Sequence, residues 1–367
     1  MKRELPKENS DSSNFVLQRA RELVMAFGWN ATAYQIINPG ILHWFSAAGD
    51  AVVGYVEVSG YRIVAGAPVC LKERLAEVVA EFEGGAARAG LKVCYFGAEA
   101  RLEKHLADSR QHSTLQLGAQ PAWNPLYWAA RFVRHASLRA QLNRARNKAV
   151  IGQEWPIERA LGHAELHRCL REWLATRGAP PLHFLIEPQT LERLYDRRVF
   201  VAEQAGQVLG FLVASPVPVR NGWLIEQIIR GAGAVNGTSE LLVDMAVRAA
   251  AETGSEYVTL GLSPLSEQGT VESVAVPFWL RATLGWVRAH GRRFYNFDGL
   301  DAFKSKFQPE RWEPVFAITN QPRFSPNTLY AIAAAFTGGS PIGATLRALQ
   351  RAVHQEFAQL NVKLKTY

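Results

Sequence analysis

Hydrophobic and polar positions in the first part of the chain follow two periods, one typical of helices and one typical of strands. Apolar residues recur at helical spacing from Phe15 to Phe27 and from Leu71 to Ala89. Between these helices, β-branched and aromatic residues predict strands, and Ser59-Gly60 has the composition of a hairpin turn. The predicted strands cover residues 42–45, 51–58, 61–65 and, after the second helix, 91–96.

The second half of the sequence repeats this order of elements. Residues 49–55 resemble residues 206–211, and the spacing Gly90-x6-Gly97 recurs as Gly254-x6-Gly261. The pattern therefore predicts two tandem copies of one α/β domain. Its second copy is expected to contain strands at 199–203, 208–213, 223–229 and 257–260 and a helix at 238–252.

Shifts in composition divide the chain into segments. The polar residues 1–14 predict a disordered tail. The remaining segments are an N-terminal domain at 15–134, a basic connecting helix at 135–150, a C-terminal catalytic domain at 151–320 and a C-terminal tail at 321–367. The tail contains an amphipathic helix at 343–360, which either docks on its own protein or contacts an anionic membrane surface.

The composition is that of a globular protein. Of 367 residues, 48% are hydrophobic and 20% are charged, which excludes a disordered or collagen-like chain. Three cysteines form no even disulfide framework, and no apolar run approaches the ~20 residues of a membrane span. We therefore expect a cytoplasmic protein. The net charge of +8 permits an anionic partner such as nucleic acid or a lipid surface.

Much of the positive charge lies in one region, residues 109–153, which contains no Asp or Glu. A solvated helix between domains usually mixes both signs of charge, whereas phosphate binding requires uncompensated Lys and Arg. Both interpretations stay open at this point. The cations on the connecting helix are Arg139, Arg144, Arg146 and Lys148.

A strand that carries Glu226 and Arg230 ends in a glycine-containing loop, and Asn236-Gly237 then begins a helix. The free N–H groups of a helix N-terminus suit a phosphate or a carboxylate. The alternative is that Asn236 only caps the helix.

A second candidate segment, residues 292–312, interleaves aromatic residues with cations. Such a segment either forms a packed domain edge or lines a cleft for an anionic substrate, with Lys304 or Lys306 as a point charge on phosphate. Motifs of serine hydrolases, of P-loop nucleotide triphosphatases and of zinc sites are absent from the sequence.

The segment FYNFDGLDAFKSKFQPERWEPVF, residues 294–316, resembles the C-terminal signature of the phosphatidylglycerol lysyltransferase family, the aminoacyl-phosphatidylglycerol synthases. The similarity extends over roughly residues 25–320. It includes the basic helix from Leu138 to Ala145, Glu172-Trp173-Leu174, Asn236-Gly237 with Glu240, and Gly261 to Leu265.

This resemblance implies two tandem acetyltransferase-like (GNAT) domains with mixed sheets flanked by helices. It also implies transfer of an amino acid from aminoacyl-tRNA to the hydroxyl of a lipid such as phosphatidylglycerol, at the cytoplasmic face of the membrane. An ester is exchanged for an ester, so we expect no cofactor and no metal. Family members commonly carry an N-terminal membrane-spanning flippase, and none is found in this sequence. Either product export is absent, or a separate flippase is a further partner. Glu226 stands where many members have Asp.

The resemblance and the chemistry together suggest roles for the candidate residues. Glu226 would orient the ammonium group of the amino acid or act as base, and Arg230 would stabilise the oxyanion or bind a phosphate. Asn236 would donate a hydrogen bond, and Glu240 would support the amino group. For each acid, the alternative is a structural ion pair with an arginine. The expected substrate-binding residues are Gly237, Ser263, Tyr295, Asn296, Lys304 and Lys306, and the expected tRNA-binding residues are the four cations named above.

Two other functions stay open. One is a coenzyme-A-dependent N-acyltransferase, although the sequence from Arg230 to Val235 fits only part of the pyrophosphate-binding pattern of GNAT enzymes. The other is a non-catalytic module that binds RNA or anionic lipid through the basic helix.

Overall fold

The computed structural model describes residues 8–132, 135–176, 183–269 and 297–338. Ten helices of these ranges are α1 (Glu8–Phe27), α2 (Leu75–Arg88), α3 (Ala100–Leu106), α4 (Trp128–Phe132), α5 (Ala136–Asn147), α6 (Ile157–Ala160), α7 (Ala164–Ala175), α8 (Thr238–Glu252), α9 (Phe297–Ser305) and α10 (Pro326–Thr337). The strands are β1 (Leu42–Phe45), β2 (Val52–Val58), β3 (Tyr61–Ala65), β4 (Lys92–Glu99), β5 (Ser113–Trp123), β6 (Ile151–Trp155), β7 (Arg198–Gln204), β8 (Gln207–Val217), β9 (Gly222–Arg230), β10 (Tyr257–Thr259), β11 (Ser263–Pro264) and β12 (Arg311–Thr319).

The two halves of the chain share one connectivity, as the sequence predicts. In the first half, β2 and β3 form a hairpin, and α2 then connects β3 to the parallel strand β4. In the second half, β8 and β9 form a hairpin, and α8 connects β9 to the parallel strand β10. The residues matched by the sequence repeat lie at equivalent places in these units. The predicted α/β fold with an internal repeat and a mixed sheet is thus confirmed.

The halves are joined by an exchange of strands. The strands lie in the order β1-β2-β3-β4-β12-β5-β10-β9-β8-β7-β6, and β11 pairs with β5. β5 follows β4 along the chain but pairs with β10, whereas β12 follows the second half and pairs with β4. β5 and β12 also pair with each other along nearly their whole length. One continuous sheet results, and its centre is built from both halves.

Helices cover both faces of this sheet because successive strand residues point to opposite sides. In β3, Ile63 packs with residues of α1 and α10, whereas Val64 packs with residues of α2. In β8, Leu212 packs with α8 and Val213 with α7. The second half thus has an α8 face and an α7 face, and the candidate residues divide between them.

Several predicted boundaries need correction. α1 begins at Glu8, so residues 8–14 of the predicted tail are helical, which the absence of Gly and Pro from that segment permits. α10, within the predicted C-terminal tail, packs in the core of the first half. The predicted second domain, 151–320, supplies β12 to the centre of the sheet; the remaining domain limits stay predictions. The predicted amphipathic helix at 343–360 lies outside the described residues. In the described ranges, none of the helices has both the length and the apolar character of a membrane span.

Candidate functional site at the bulge of strand β9

Glu226 occupies an irregular position in β9. Val213 of β8 pairs with Gln227, but the next residue, Ala214, pairs with Ile225, so Glu226 is the extra residue of a β-bulge. Such bulges redirect a side chain and are common next to active sites. The Glu226 side chain points into the protein, where it is 2% exposed.

Among the described residues, one oxygen of the Glu226 carboxylate has a hydrogen-bond donor and the other has none. Arg197, which is fully buried, donates from Nε to Glu226 Oε1 at 2.6 Å. The same guanidinium donates to Asn38 Oδ1 and to the Arg193 carbonyl oxygen, each at 2.6 Å, and lies over the Tyr34 ring. Glu226 Oε2 is buried, and no described residue donates a hydrogen bond to it. A buried oxygen without a donor is costly, so this atom is suited to accept a hydrogen bond from a ligand.

This ion pair is fixed to the first half of the chain. The Tyr34 hydroxyl donates to the backbone oxygen of Tyr195 at 2.5 Å and to Asp196 Oδ2 at 2.9 Å. Arg21 of α1 forms two hydrogen bonds with the same carboxylate and lowers the pKa of Asp196. The segment that carries Arg197 is therefore held between both halves.

Arg230 lies on the other face of the sheet from Glu226. Ile228 packs with α8, Ile229 packs with α7, and the alternation of side chains returns Arg230 to the α8 face. Glu226 instead meets Arg197 on the α7 face, because the bulge interrupts the alternation between the two residues. Arg230 is exposed and donates to the Ala234 carbonyl oxygen at 3.1 Å. The structure thus does not bring these two candidate residues together.

The beginning of α8 is packed tightly against α5. Gly237 has φ +95°, and a Cβ atom there would lie 2.1 Å from the Gln141 backbone oxygen. Asn236 is exposed and makes no side-chain cap of α8; Gly237 occupies the cap position instead. Glu240, in the first turn of α8, accepts a hydrogen bond from Lys306 Nζ at 2.8 Å. Two predicted site residues are thereby brought together as an ion pair.

Lys304 is buried and binds backbone. Its Nζ atom donates to the carbonyl oxygens of Gly261 and Leu262, each at 2.8 Å. Burial lowers the pKa of Lys304 to about 7, and the nearby Asp301 opposes this shift. Ser263 follows directly, and its buried hydroxyl has no hydrogen-bond partner among the described residues. Lys304 therefore supports the segment that carries Ser263, rather than presenting its charge on the surface.

The loop after β9 is contacted by an acid of helix α7, Glu172. Glu172 Oε2 accepts a hydrogen bond from the Ala232 N–H at 2.8 Å, and Glu172 Oε1 accepts from Arg168 at 2.7 Å. The Ala232 N–H and the Arg168 guanidinium hold the pKa of Glu172 below its usual range. The N–H of Ala232 in this loop is thus already paired with a carboxylate.

The connecting helix α5 presents its cations on the side away from the core. Leu138, Leu142 and Ala145 are buried against the second half, whereas Arg144 and Lys148 are exposed. Arg146 is 54% exposed and lies 3.9 Å from Asp244 of α8. Arg139 is half-buried on the same helix.

Comparisons with known proteins agree on one family. The family described as "Phosphatidylglycerol lysyltransferase, C-terminal" matches residues 21–319. The chain belongs to this family. Phosphatidylglycerol lysyltransferase of Bacillus subtilis is 23% identical over 292 residues, which are 79% of this chain and 33% of that protein. An uncharacterised protein of Corynebacterium glutamicum is 22% identical over 305 residues, 80% of this chain and 38% of its own length. The chain thus spans about a third of the length of these curated relatives.

Solved structures show the same fold. The C-terminal domain of a putative lysylphosphatidylglycerol synthetase from Agrobacterium fabrum has 23% identity and a TM-score of 0.75, with 89% of this chain and 98% of that chain covered. L-PGS from Bacillus licheniformis has 19% identity and a TM-score of 0.72, with 87% and 95% covered.

The phosphatidylglycerol lysyltransferase signature is only partly described. Tyr295 and Asn296 lie outside the described residues. Downstream, Glu313 of β12 accepts hydrogen bonds from both terminal nitrogens of Arg220, at 2.9 and 2.5 Å, and from the Tyr257 hydroxyl at 3.1 Å. Arg220 also donates to Glu99 at the end of β4. In this chain, the Trp-Glu-Pro part of the signature therefore fastens the exchanged strand to both halves.

Sequence reasoning missed Arg197. Arg197 stands directly before an apolar strand, so the sequence places a charged residue close to the core, where charged residues are rarely found. Its pairing with Glu226 spans 29 residues and depends on a bulge, so no local pattern could have revealed it.

Proposed function

We propose that this chain transfers an amino acid from aminoacyl-tRNA to the hydroxyl of a phospholipid such as phosphatidylglycerol, at the cytoplasmic membrane face. The observation that carries the proposal is the buried Glu226 carboxylate, with one open oxygen, within a chain that belongs to the phosphatidylglycerol lysyltransferase family. The acceptor hydroxyl attacks the ester carbonyl carbon, a new ester bond forms, and the bond to the tRNA ribose oxygen breaks.

Contacts around Glu226 support a role in binding the amino group. Arg197 donates to Oε1 and fixes the orientation of the carboxylate. The open Oε2 is free of described donors and suits the ammonium group of an aminoacyl ester. We therefore assign Glu226 to orientation of the amino acid, and the proton acceptor must be sought elsewhere.

The basic face of α5 supports a polyanionic donor. Its exposed Arg144 and Lys148 belong to a region without acidic residues, and its backbone touches the start of α8 at Gly237. A tRNA backbone bound along α5 would lie against the second half. Coenzyme A is disfavoured as donor because Glu172 repels a pyrophosphate at the loop after β9.

The test is a transfer assay with purified protein. Labelled aminoacyl-tRNAs are mixed with vesicles of phosphatidylglycerol and phosphatidylcholine, and label is followed into the organic extract. RNase-sensitive labelling of lipid is expected. Glu226→Gln should lower kcat/KM about 100-fold, because an amide cannot pair with the ammonium group. Glu154→Gln is the matched control, since Glu154 pairs with Arg198 at the surface and should leave transfer unchanged.

One result would count against the role of Glu226, and two would count against this function. Full turnover by Glu226→Gln would remove the assigned role of that residue. Acylation from labelled acetyl-coenzyme A in place of aminoacyl-tRNA would establish the coenzyme-A alternative. A protein that binds tRNA or vesicles, loses binding on charge reversal at Arg144 and Arg146, and transfers nothing would be a binding module.

A further inference from the structure

A cavity lies between the two halves of the chain on the α7 face of the sheet. Its volume is about 350 Å³. The walls come from the loop before β1, from β2, from residues 183–189 and from the end of α10. The lining residues are Pro39, Gly40, Ile41, Val56, His183, Phe184, Glu187, Gln189, Ala335 and Gly338.

Hydrogen bonds link the wall of this cavity to the bulge that carries Glu226. Gln227, the next residue, donates from Nε2 to the Glu187 carbonyl oxygen at 2.8 Å and accepts from the Thr190 hydroxyl at 2.9 Å. On the other side, Asn38 accepts from Arg197 and precedes the lining residue Pro39. Asn38 thus joins the Glu226 ion pair to one wall of the cavity, and Gln227 joins the bulge to another.

Two lining residues, His183 and Glu187, form a dyad. His183 Nδ1 lies 2.9 Å from Glu187 Oε2, and the Gln189 N–H donates to Glu187 Oε1 at 3.0 Å. Glu187 is 5% exposed and His183 is 47% exposed, so the imidazole is the member that a ligand meets first. A carboxylate only accepts, so Nδ1 carries the hydrogen and a neutral imidazole keeps its lone pair on Nε2.

The remaining lining is apolar or uncharged. Ile41, Val56, Phe184 and Ala335 supply aliphatic and aromatic walls, and none of the lining residues is Lys or Arg. Helix α10 contains no charged residue, so Glu187 is the charged group that faces His183 from within the lining. The described lining therefore suits a small neutral hydroxyl-bearing group better than a phosphate.

We propose that this cavity admits the hydroxyl-bearing end of the acceptor, and that His183, oriented by Glu187, is the proton acceptor of the transfer reaction. The proposal rests on the proposed function and supplies the base that Glu226 does not provide. The acceptor O–H proton passes to His183 Nε2 while the oxygen attacks the ester carbonyl carbon. The imidazolium then returns this proton to the departing ribose oxygen, so the side chain ends as it began.

The experiment compares His183→Ala with wild type in the lipid-transfer assay, with and without added imidazole. We expect kcat to fall at least 100-fold with KM for phosphatidylglycerol changed less than threefold, and added imidazole to restore at least a tenth of the lost rate. Glu187→Gln should lower kcat about tenfold or more, because the ring loses its orientation. His105→Ala, at an exposed position on α3, is the control and should match wild type.

The outcomes separate this proposal from the function on which it rests. If wild type transfers label and His183→Ala keeps its kcat, or if the variant raises KM alone without rescue by imidazole, His183 is not the proton acceptor. If wild type transfers no amino acid to any lipid, the proposed function fails and this assignment fails with it. The unfolding temperature of each variant is measured alongside, because His183→Ala removes a hydrogen bond from the buried Glu187 carboxylate.

Discussion

At the scale of single residues, two glutamates with similar partners differ in whether a carboxylate oxygen stays available for a ligand. Glu172 and Glu226 are both paired with an arginine, but Glu172 uses its second oxygen on the Ala232 N–H, whereas Glu226 leaves its second oxygen buried and open. A carboxylate with both oxygens hydrogen-bonded stabilises a loop, whereas a carboxylate with one oxygen left unbonded can bind a ligand. Gly97 and Gly261, which are equivalent in the repeat, differ in the donor to their carbonyl oxygen: the neutral amide of Asn30 in one case and the amine of Lys304 in the other.

The buried amine of Lys304 makes stability depend on pH. Because its pKa is about 7 in the folded chain and ~10.4 in an unfolded chain, the unfolded state binds more protons between these values. Stability therefore rises as the pH increases above 7. Between pH 7.5 and 9.5, wild type should gain about 2.5 kcal/mol relative to Lys304→Met. Urea unfolding measures this difference, with Lys72→Met at an exposed position as control; parallel pH profiles for wild type and Lys304→Met would contradict it.

At the scale of elements, helix α5 is bound to helix α8 by backbone as well as by side chains. Gly237 lets α8 begin within contact of the Gln141 carbonyl, and Arg146 and Asp244 add a looser link between the helices. A tRNA bound to α5 would thus act on the element that carries Glu240.

Alanine at Gly237 tests this contact. Its Cβ would meet the Gln141 oxygen and would also oppose the positive φ, so we expect a loss of about 3 kcal/mol in the free energy of unfolding. Gly254, at the other end of α8, has φ +72° and open space around it, so alanine there should cost about 1 kcal/mol. Equal losses in the two variants, measured by urea unfolding, would show that the contact with α5 is dispensable.

Local elements could be predicted from the sequence, but long-range pairings could not. β1, β3 and α8 follow from periodicity and from glycines at their ends, and the structure has them at the predicted limits. β5 and β12 were missed because Pro121 and Pro314 interrupt them, and proline normally argues against an interior strand. In the site, two separate family motifs indicate Glu240 and Lys306. Their ion pair depends on how the residues at the end of α9 pack on α8.

At the scale of the whole molecule, the exchange of β5 and β12 makes each half depend on the other. A piece that ends at residue 150 lacks the strand that covers β4, and a piece that begins at 151 lacks the strand that covers β10. Uncovered strand edges pair with other chains.

We therefore expect neither piece, expressed alone, to unfold cooperatively. Co-expression should restore a complex with the circular dichroism spectrum and the unfolding midpoint of the whole chain, because the two pieces together contain every strand. Size-exclusion chromatography and thermal unfolding measure this. A cooperative transition in either piece alone would show that the halves are independent domains.

The exchanged strand also has a consequence for synthesis on the ribosome. β4 ends at Glu99, but its neighbour β12 begins at Arg311, roughly 200 residues later. At translation rates of ~5–20 residues per second, the edge of β4 waits about 10–40 s for its partner. During that time the nascent chain carries an open sheet edge, so the yield of this protein should depend on elongation speed and on chaperones that shield unpaired strands.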